Sequence, residues 1–166
     1  MTIIERARPT AGRMFHRPAG TGRMYWGPGD LYTFLVTGEE SGGASFAMEA
    51  LVPPGGGPPP HTHSREDETF YVLEGACDFR LGDDTVTAGV GDFIHVPRGR
   101  VHCFHNAGTE PARLILTFTP AGIEKFFEET LRRAYDRTLD PPEDPAAVAA
   151  RYAVAAPRYG LDFTVA

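Results

Sequence analysis

The chain has 166 residues, 42% hydrophobic and 23% charged, with 16 Lys and Arg against 22 Asp and Glu. That balance fits one globular domain with a sizeable core and excludes a wholly disordered chain. The net charge of −6, with no Lys/Arg cluster, argues against a nucleic-acid partner, and no window approaches the ~18 uninterrupted apolar residues of a membrane span.

Residues 1–30 carry Pro9, Pro18 and Pro28 among several glycines and read as an irregular arm. The first ten residues lack the charged-then-apolar order of a signal peptide, so a cytoplasmic protein is expected. Eight strand-like runs follow, over 31–37, 44–52, 68–73, 76–81, 85–88, 92–96, 101–105 and 113–119. Turn chemistry separates them, as in Ser41-Gly42-Gly43, Gly82-Asp83-Asp84 and Ala107-Gly108-Thr109. Eight short strands in about ninety residues, with no helix-length pattern between them, predict an all-β closed barrel or jelly roll over 31–120.

After Pro120 the period changes. Ile123, Phe126, Phe127, Leu131, Ala134 and Tyr135 recur at helical spacing, with Glu124, Glu128, Arg132 and Arg133 on the other face. Asp140-Pro-Pro-Glu-Asp144 breaks that helix. Asp144 and Pro145 then read as N-cap and first turn of a second, Ala-rich helix that Pro157 ends. This 121–166 tail is too short to fold alone and is expected to pack on the barrel. Cys77 and Cys103 form no CxxC and are expected to be reduced, small apolar residues.

The chemistry concentrates in His61-Thr-His63-Ser-Arg-Glu-Asp-Glu68 and in the Pro97-Arg98-Gly99 turn that precedes His102. His61 and His63, two apart, face one side of a strand, and Glu68 opens the next. Three imidazoles and a carboxylate converging inside a barrel make a mixed nitrogen and oxygen site for a divalent metal. Glu66 and Asp67 read instead as a solvated turn. Phe70 and Val72 share a strand face with Glu68, and Phe104 shares one with His102, so these three are candidate cavity residues. His95, His105, Arg98 and Arg100 read as surface residues. No GxSxG, Walker or GxGxxG pattern is present, which argues against serine hydrolase, P-loop and dinucleotide chemistry.

The spacing of both blocks is more specific than an isolated HxH. The first runs from Gly55 through His61, His63 and Glu68 to Gly75. The second runs from Gly91 through Pro97, Gly99 and His102 to Asn106. Together they resemble the two signature motifs of the cupin superfamily, over about residues 31–120. The resemblance implies a double-stranded β-helix barrel with a short C-terminal helical extension. It also implies one divalent transition metal (Fe, Ni, Mn, Co, Cu or Zn) on His61, His63, Glu68 and His102.

A narrower likeness, in Gly55-Gly-Gly-Pro-Pro-Pro-His61-Thr-His63-Ser-Arg-Glu-Asp-Glu68-Thr-Phe-Tyr71 and the Tyr159-Gly-Leu-Asp-Phe163 ending, is to bacterial cupins of the quercetin 2,3-dioxygenase type. That group implies O2-dependent ring cleavage of a flavonol-like enol, with Glu68 as both ligand and acid/base. A non-oxidative isomerase, cyclase or decarboxylase, and a non-catalytic small-molecule binder, are the alternatives. Small cupins commonly dimerise, and the outward Tyr71 and Leu73 need a cover, so a homodimer is expected.

Overall fold

In the computed structural model, which describes residues 14–139 and 143–163, the alternating runs become strands that bury every second side chain. The chain opens with β1 (Met24–Trp26) and β2 (Leu31–Val36), then the short helix α1 (Gly38–Ser41) and β3 (Phe46–Val52). Seven strands follow: β4 (Thr62–His63), β5 (Asp67–Glu74), β6 (Ala76–Leu81), β7 (Asp84–Gly89), β8 (Phe93–Val96), β9 (His102–His105) and β10 (Ala112–Thr119). The tail holds α2 (Glu124–Thr130), β11 (Arg132–Ala134), α3 (Pro145–Ala155), a 3-10 turn over Ala156–Tyr159, and β12 (Leu161–Asp162).

A seven-stranded sheet in the order β11-β1-β2-β3-β10-β5-β8 faces a three-stranded sheet, β7-β6-β9, and the pair β12-β4 lies beside them. All named strand pairs are antiparallel. This is the barrel expected from the sequence. Its strands alternate strictly: β3 buries Phe46, Met48, Ala50 and Val52, and β10 buries Ala112, Leu114, Leu116 and Phe118. Phe46 stacks on Phe118 at 5.5 Å, and Phe70 of the large sheet meets Phe79 of the small one edge-on at 5.0 Å. Such ring pairs add about 0.5–1.5 kcal/mol each beyond their area.

The motif residues outside the histidine cluster are structural. Gly75 turns β5 into β6 with φ +71°, and an added Cβ would meet Ala112 Cα at 3.0 Å. Asn106, 1% exposed, donates through Nδ2 to Val52 O and Glu110 O and accepts from Gly108 N, each at 2.9 Å. It ties the end of β9 to β3 and to the turn before β10.

The structure departs from the sequence reading at both ends of the barrel. Met24–Trp26, expected within an irregular arm, is a strand paired with β2 and with β11. The helix expected through Tyr135 stops at Thr130. Leu131 is extended (φ −103°, ψ 153°), Arg132–Ala134 pair with β1, and Tyr135 is exposed. Three residues are too few to show a period of two, and strand pairing with β1 overrides the apolar spacing. Glu124, expected on the solvated face, is buried and accepts from Gly38 N at 2.8 Å and Gly122 N at 2.7 Å.

The second helix begins as expected, with Asp144 Oδ1 accepting from Ala146 N at 3.0 Å. Residues 1–13 of the expected arm and 140–142 of the expected break lie outside the described residues. Among the described residues no helix is long and apolar enough to cross a membrane.

Candidate metal centre

The backbone brings the two blocks together. His61 and His102 form an isolated antiparallel bridge, each donating its N–H to the other's carbonyl at 3.0 Å. Gly99, in the turn before His102, donates to His63 O at 2.6 Å. β5 sets Glu68 in the adjacent wall, inward with Phe70 and Val72. One ligand atom from each of His61, His63, Glu68 and His102 therefore falls within 4.8 Å of the others, and all four residues are buried. Forty residues of sequence separation are closed by two backbone hydrogen bonds.

The rings are held from behind. His61 Nδ1 lies 2.9 Å from Pro59 O and His102 Nδ1 lies 3.0 Å from Arg100 O. A carbonyl only accepts, so each Nδ1 carries the hydrogen and each Nε2 is left for the centre. His102 Nε2 stands 2.8 Å from Glu68 Oε2, and His63 Nε2 stands 3.3 Å from the same oxygen. With His102 Nδ1 already donating, only a positive charge between Nε2 and the carboxylate, a proton or a metal ion, satisfies both atoms. The donor set thus fits a divalent cation.

Burial dominates the electrostatics. It pushes His61 down to about 3, with His102 and His63 reinforcing it, so His61 offers a neutral ring at any physiological pH. Burial also lowers His63, but the Glu66 and Glu68 carboxylates outweigh it and raise the ring to about 9. Glu68 is raised by burial, yet His102 and His63 overcome this and hold it well below the usual carboxylate range. The centre is a buried carboxylate enclosed by imidazoles.

A cavity of about 40 Å³ adjoins three of these residues, His61, His63 and Glu68. Phe104 lines it. Phe70 and Val72 do not; both are fully buried, and Phe70 packs on Phe79 and Phe104 instead. Much of the lining comes from residues to which the sequence reading gave no role: Tyr32, Phe118, and the tail's Phe126, Phe127, Tyr152 and Phe163. Phe163 lies 5.5 Å from the His61 ring, and Leu161 pairs with His63. The tail thus closes the mouth of the barrel over the cluster. The signal for this was the aromatic content of the amphipathic helix, but helical spacing shows only that a face is buried and not against what.

His95 and His105 are exposed, as is Arg100. Arg98 is tied to Asp67, 2.9 Å from Nε to Oδ1, on the outside. Glu66, expected in a solvated turn, is only 3% exposed and sits behind His63. Cys77 is buried and Cys103 half-buried, both free.

Residues 48–118 match the Cupin domain family. The barrel is a cupin domain, a double-stranded β-helix with a C-terminal helical extension. Germin-like protein 5-1 of Oryza sativa subsp. japonica is 45% identical over 86 residues, covering 48% of this chain and 37% of that protein. Quercetin 2,3-dioxygenase of Bacillus subtilis is 27% identical over 116 residues, covering 70% of this chain and 34% of that enzyme. The chain thus spans about a third of the length of these curated relatives.

Among solved structures, a predicted oxalate decarboxylase of Thermotoga maritima superposes with a TM-score of 0.59 at 19% identity, over 64% of this chain and 99% of that one. An RmlC-like cupin of Shewanella frigidimarina superposes with a TM-score of 0.58 at 21% identity, over 70% and 98%. These two likenesses concern the fold.

Proposed function

We propose that the chain is a metal-dependent enzyme of the quercetin 2,3-dioxygenase type, which uses O2 to cleave a small organic enol such as a flavonol. The observation that carries this reading is the convergence of His61, His63, Glu68 and His102 within 4.8 Å at the wall of an aromatic cavity. In this reading the four residues hold one divalent ion, Fe, Ni, Mn, Co, Cu or Zn. A bound transition metal supplies Lewis acidity and, when redox active, a route for electrons to O2.

The protein's own residues do the rest. Glu68 is ionised and buried, so its carboxylate accepts the proton of an entering hydroxyl and returns it to the product. Phe104 and Phe118 give a flat substrate apolar walls. Tyr152 and Phe163, from the tail, exclude water. The distant relation to the Bacillus subtilis enzyme supports the same class.

The test is O2 consumption with a flavonol, using protein reconstituted in turn with Fe, Ni, Mn, Co and Cu, beside His102→Ala. O2 uptake that depends on flavonol and metal and is absent in His102→Ala is expected. Turnover that proceeds equally without O2 overturns the oxidative step. Unchanged flavonol recovered after long incubation points to a binder.

One observation favours a second reading. A cavity of about 40 Å³ is well below the ~150 Å³ that accommodates benzene in an engineered core. With the tail closed, it suits a smaller carbonyl or carboxylate compound that a metal only polarises, as in an isomerase, cyclase or decarboxylase.

We further propose a cytoplasmic homodimer. Tyr71 and its cross-strand neighbour Phe93, on the sheet edge at β8, are 44% and 62% exposed and need a cover. Light scattering that finds a monomer at micromolar concentration overturns it.

A further inference from the structure

The three histidines of the centre are not held alike. His61 and His102 each donate from Nδ1 to a neutral backbone carbonyl of their own segment, at 2.9 Å and 3.0 Å. His63 has no such carbonyl. Its Nδ1 is buried and makes no hydrogen bond. The nearest recorded oxygen is Glu66 Oε2 at 3.8 Å, and that oxygen is also buried without a hydrogen-bond partner. Two orphaned polar atoms of complementary kind thus face each other in a dry site, with side-chain exposures of 4% and 3%. Leaving both unpaired carries the full desolvation cost of each, so their juxtaposition calls for a reason.

We propose that Glu66 is the positioning residue of His63: its buried carboxylate receives the Nδ1–H of that ring, fixing Nε2 toward the centre and strengthening it as a donor. This rests on the reading of His61, His63, Glu68 and His102 as a metal centre.

The gap to a hydrogen bond is about 1 Å, within the reach of the terminal torsions of both side chains. A carboxylate behind a ligating imidazole fixes its tautomer and orientation and raises its basicity more than a carbonyl does. The centre is thereby asymmetric. His63 is backed by a negative charge, whereas His61 and His102 are backed by dipoles. Glu66 lies three residues beyond His63, on the turn into β5 that also carries Glu68, so one short segment supplies both a ligand and the support of its neighbour.

The test uses Co2+ as probe on the full chain. Affinity and visible absorption are measured for wild type, Glu66→Gln, Glu66→Ala and the control His63→Ala, alongside the Tm of each metal-free protein. Loss of Glu66 is expected to weaken Co2+ binding roughly 10- to 100-fold and to shift the cobalt bands. Glu66→Gln, whose amide oxygen still accepts the Nδ1–H, falls between Glu66→Ala and wild type. Tm of the metal-free variants is expected to stay near that of wild type.

If Glu66 were merely part of the packing, Tm would fall while cobalt affinity and bands of the folded protein stayed at wild-type values, and that result overturns the proposal. Should Glu66→Ala fail to fold, the same comparison is made with the isosteric Glu66→Gln, where unchanged affinity and bands are equally fatal. Wild type that takes no Co2+, or His63→Ala that binds as wild type does, overturns the metal centre and the role of Glu66 with it. Binding that is lost in His63→Ala but untouched in both Glu66 variants overturns the role of Glu66 alone.

Discussion

Loading the centre with metal near neutral pH should expel the proton that His63 holds. His63 is lowered by burial but raised more strongly by Glu66 and Glu68, to about 9 against an ordinary value of 6.5. At pH 7 it lies about two units below that point and is protonated in nearly every metal-free molecule. Nε2 must give up its proton to donate a lone pair. Between pH 7 and 9, His63 alone should therefore make apparent affinity rise about tenfold per pH unit and flatten above about 9. The whole rise is about 100-fold, or about 3 kcal/mol at 1.36 kcal/mol per unit.

Calorimetric titration of Co2+ into metal-free protein, in buffers of different ionisation enthalpy, counts the released protons. At least about one per ion is expected at pH 7, declining toward zero above pH 9. Zero protons at pH 7, or an affinity flat from pH 7 to 9, would refute the assignment of His63 as a ligand held protonated by Glu66 and Glu68. The sign for folding runs the other way. A raised His63 contributes stability to the metal-free chain that is complete below pH 6.5 and lost as pH rises through about 9.

Three further outcomes are expected. Phe46→Ala removes a fully buried ring stacked on Phe118 and packed on Phe34, and should cost about 3–5 kcal/mol, lowering Tm by about 10 °C in calorimetry of the metal-free protein. Asn106→Ala leaves Val52 O and Glu110 O without their donor and should cost about 2–4 kcal/mol in a denaturant titration, with the cobalt affinity of the folded protein unchanged. Phe163→Ala uncovers the His61 side of the cavity, so a chelator such as EDTA should strip bound metal several-fold faster than from wild type. A rate equal to wild type would show that the tail does not guard the mouth.

Local pattern alone determined a good deal about this chain. Period-two alternation bounded by Gly and Pro located all eight strands of residues 31–119 to within a residue or two, because a strand with one buried face writes that face into its sequence. The spacing from His61 through Glu68 to His102 likewise brought out the four residues that the structure gathers. A two-residue step on a strand fixes which side the imidazoles face, and the Pro97-Arg-Gly99 turn fixes where β9 begins.

What the tertiary structure decided is everything that depends on a partner distant in sequence. Met24–Trp26 and Arg132–Ala134 are strands only because they pair with each other across more than a hundred residues. The apolar spacing around Leu131 and Ala134 serves a strand as well as a helix. Glu66 reads as a solvated charge among Arg65 and Asp67, and only the packing around His63 shows it buried. The cavity is set in the same way. Phe70 and Val72 point inward but sink into the core, while Phe126, Tyr152 and Phe163 arrive from the tail to wall it off. Alternation tells a side chain which way to point; only the meeting of separate segments decides whether it ends in packed core, at an open surface or beside a reacting group.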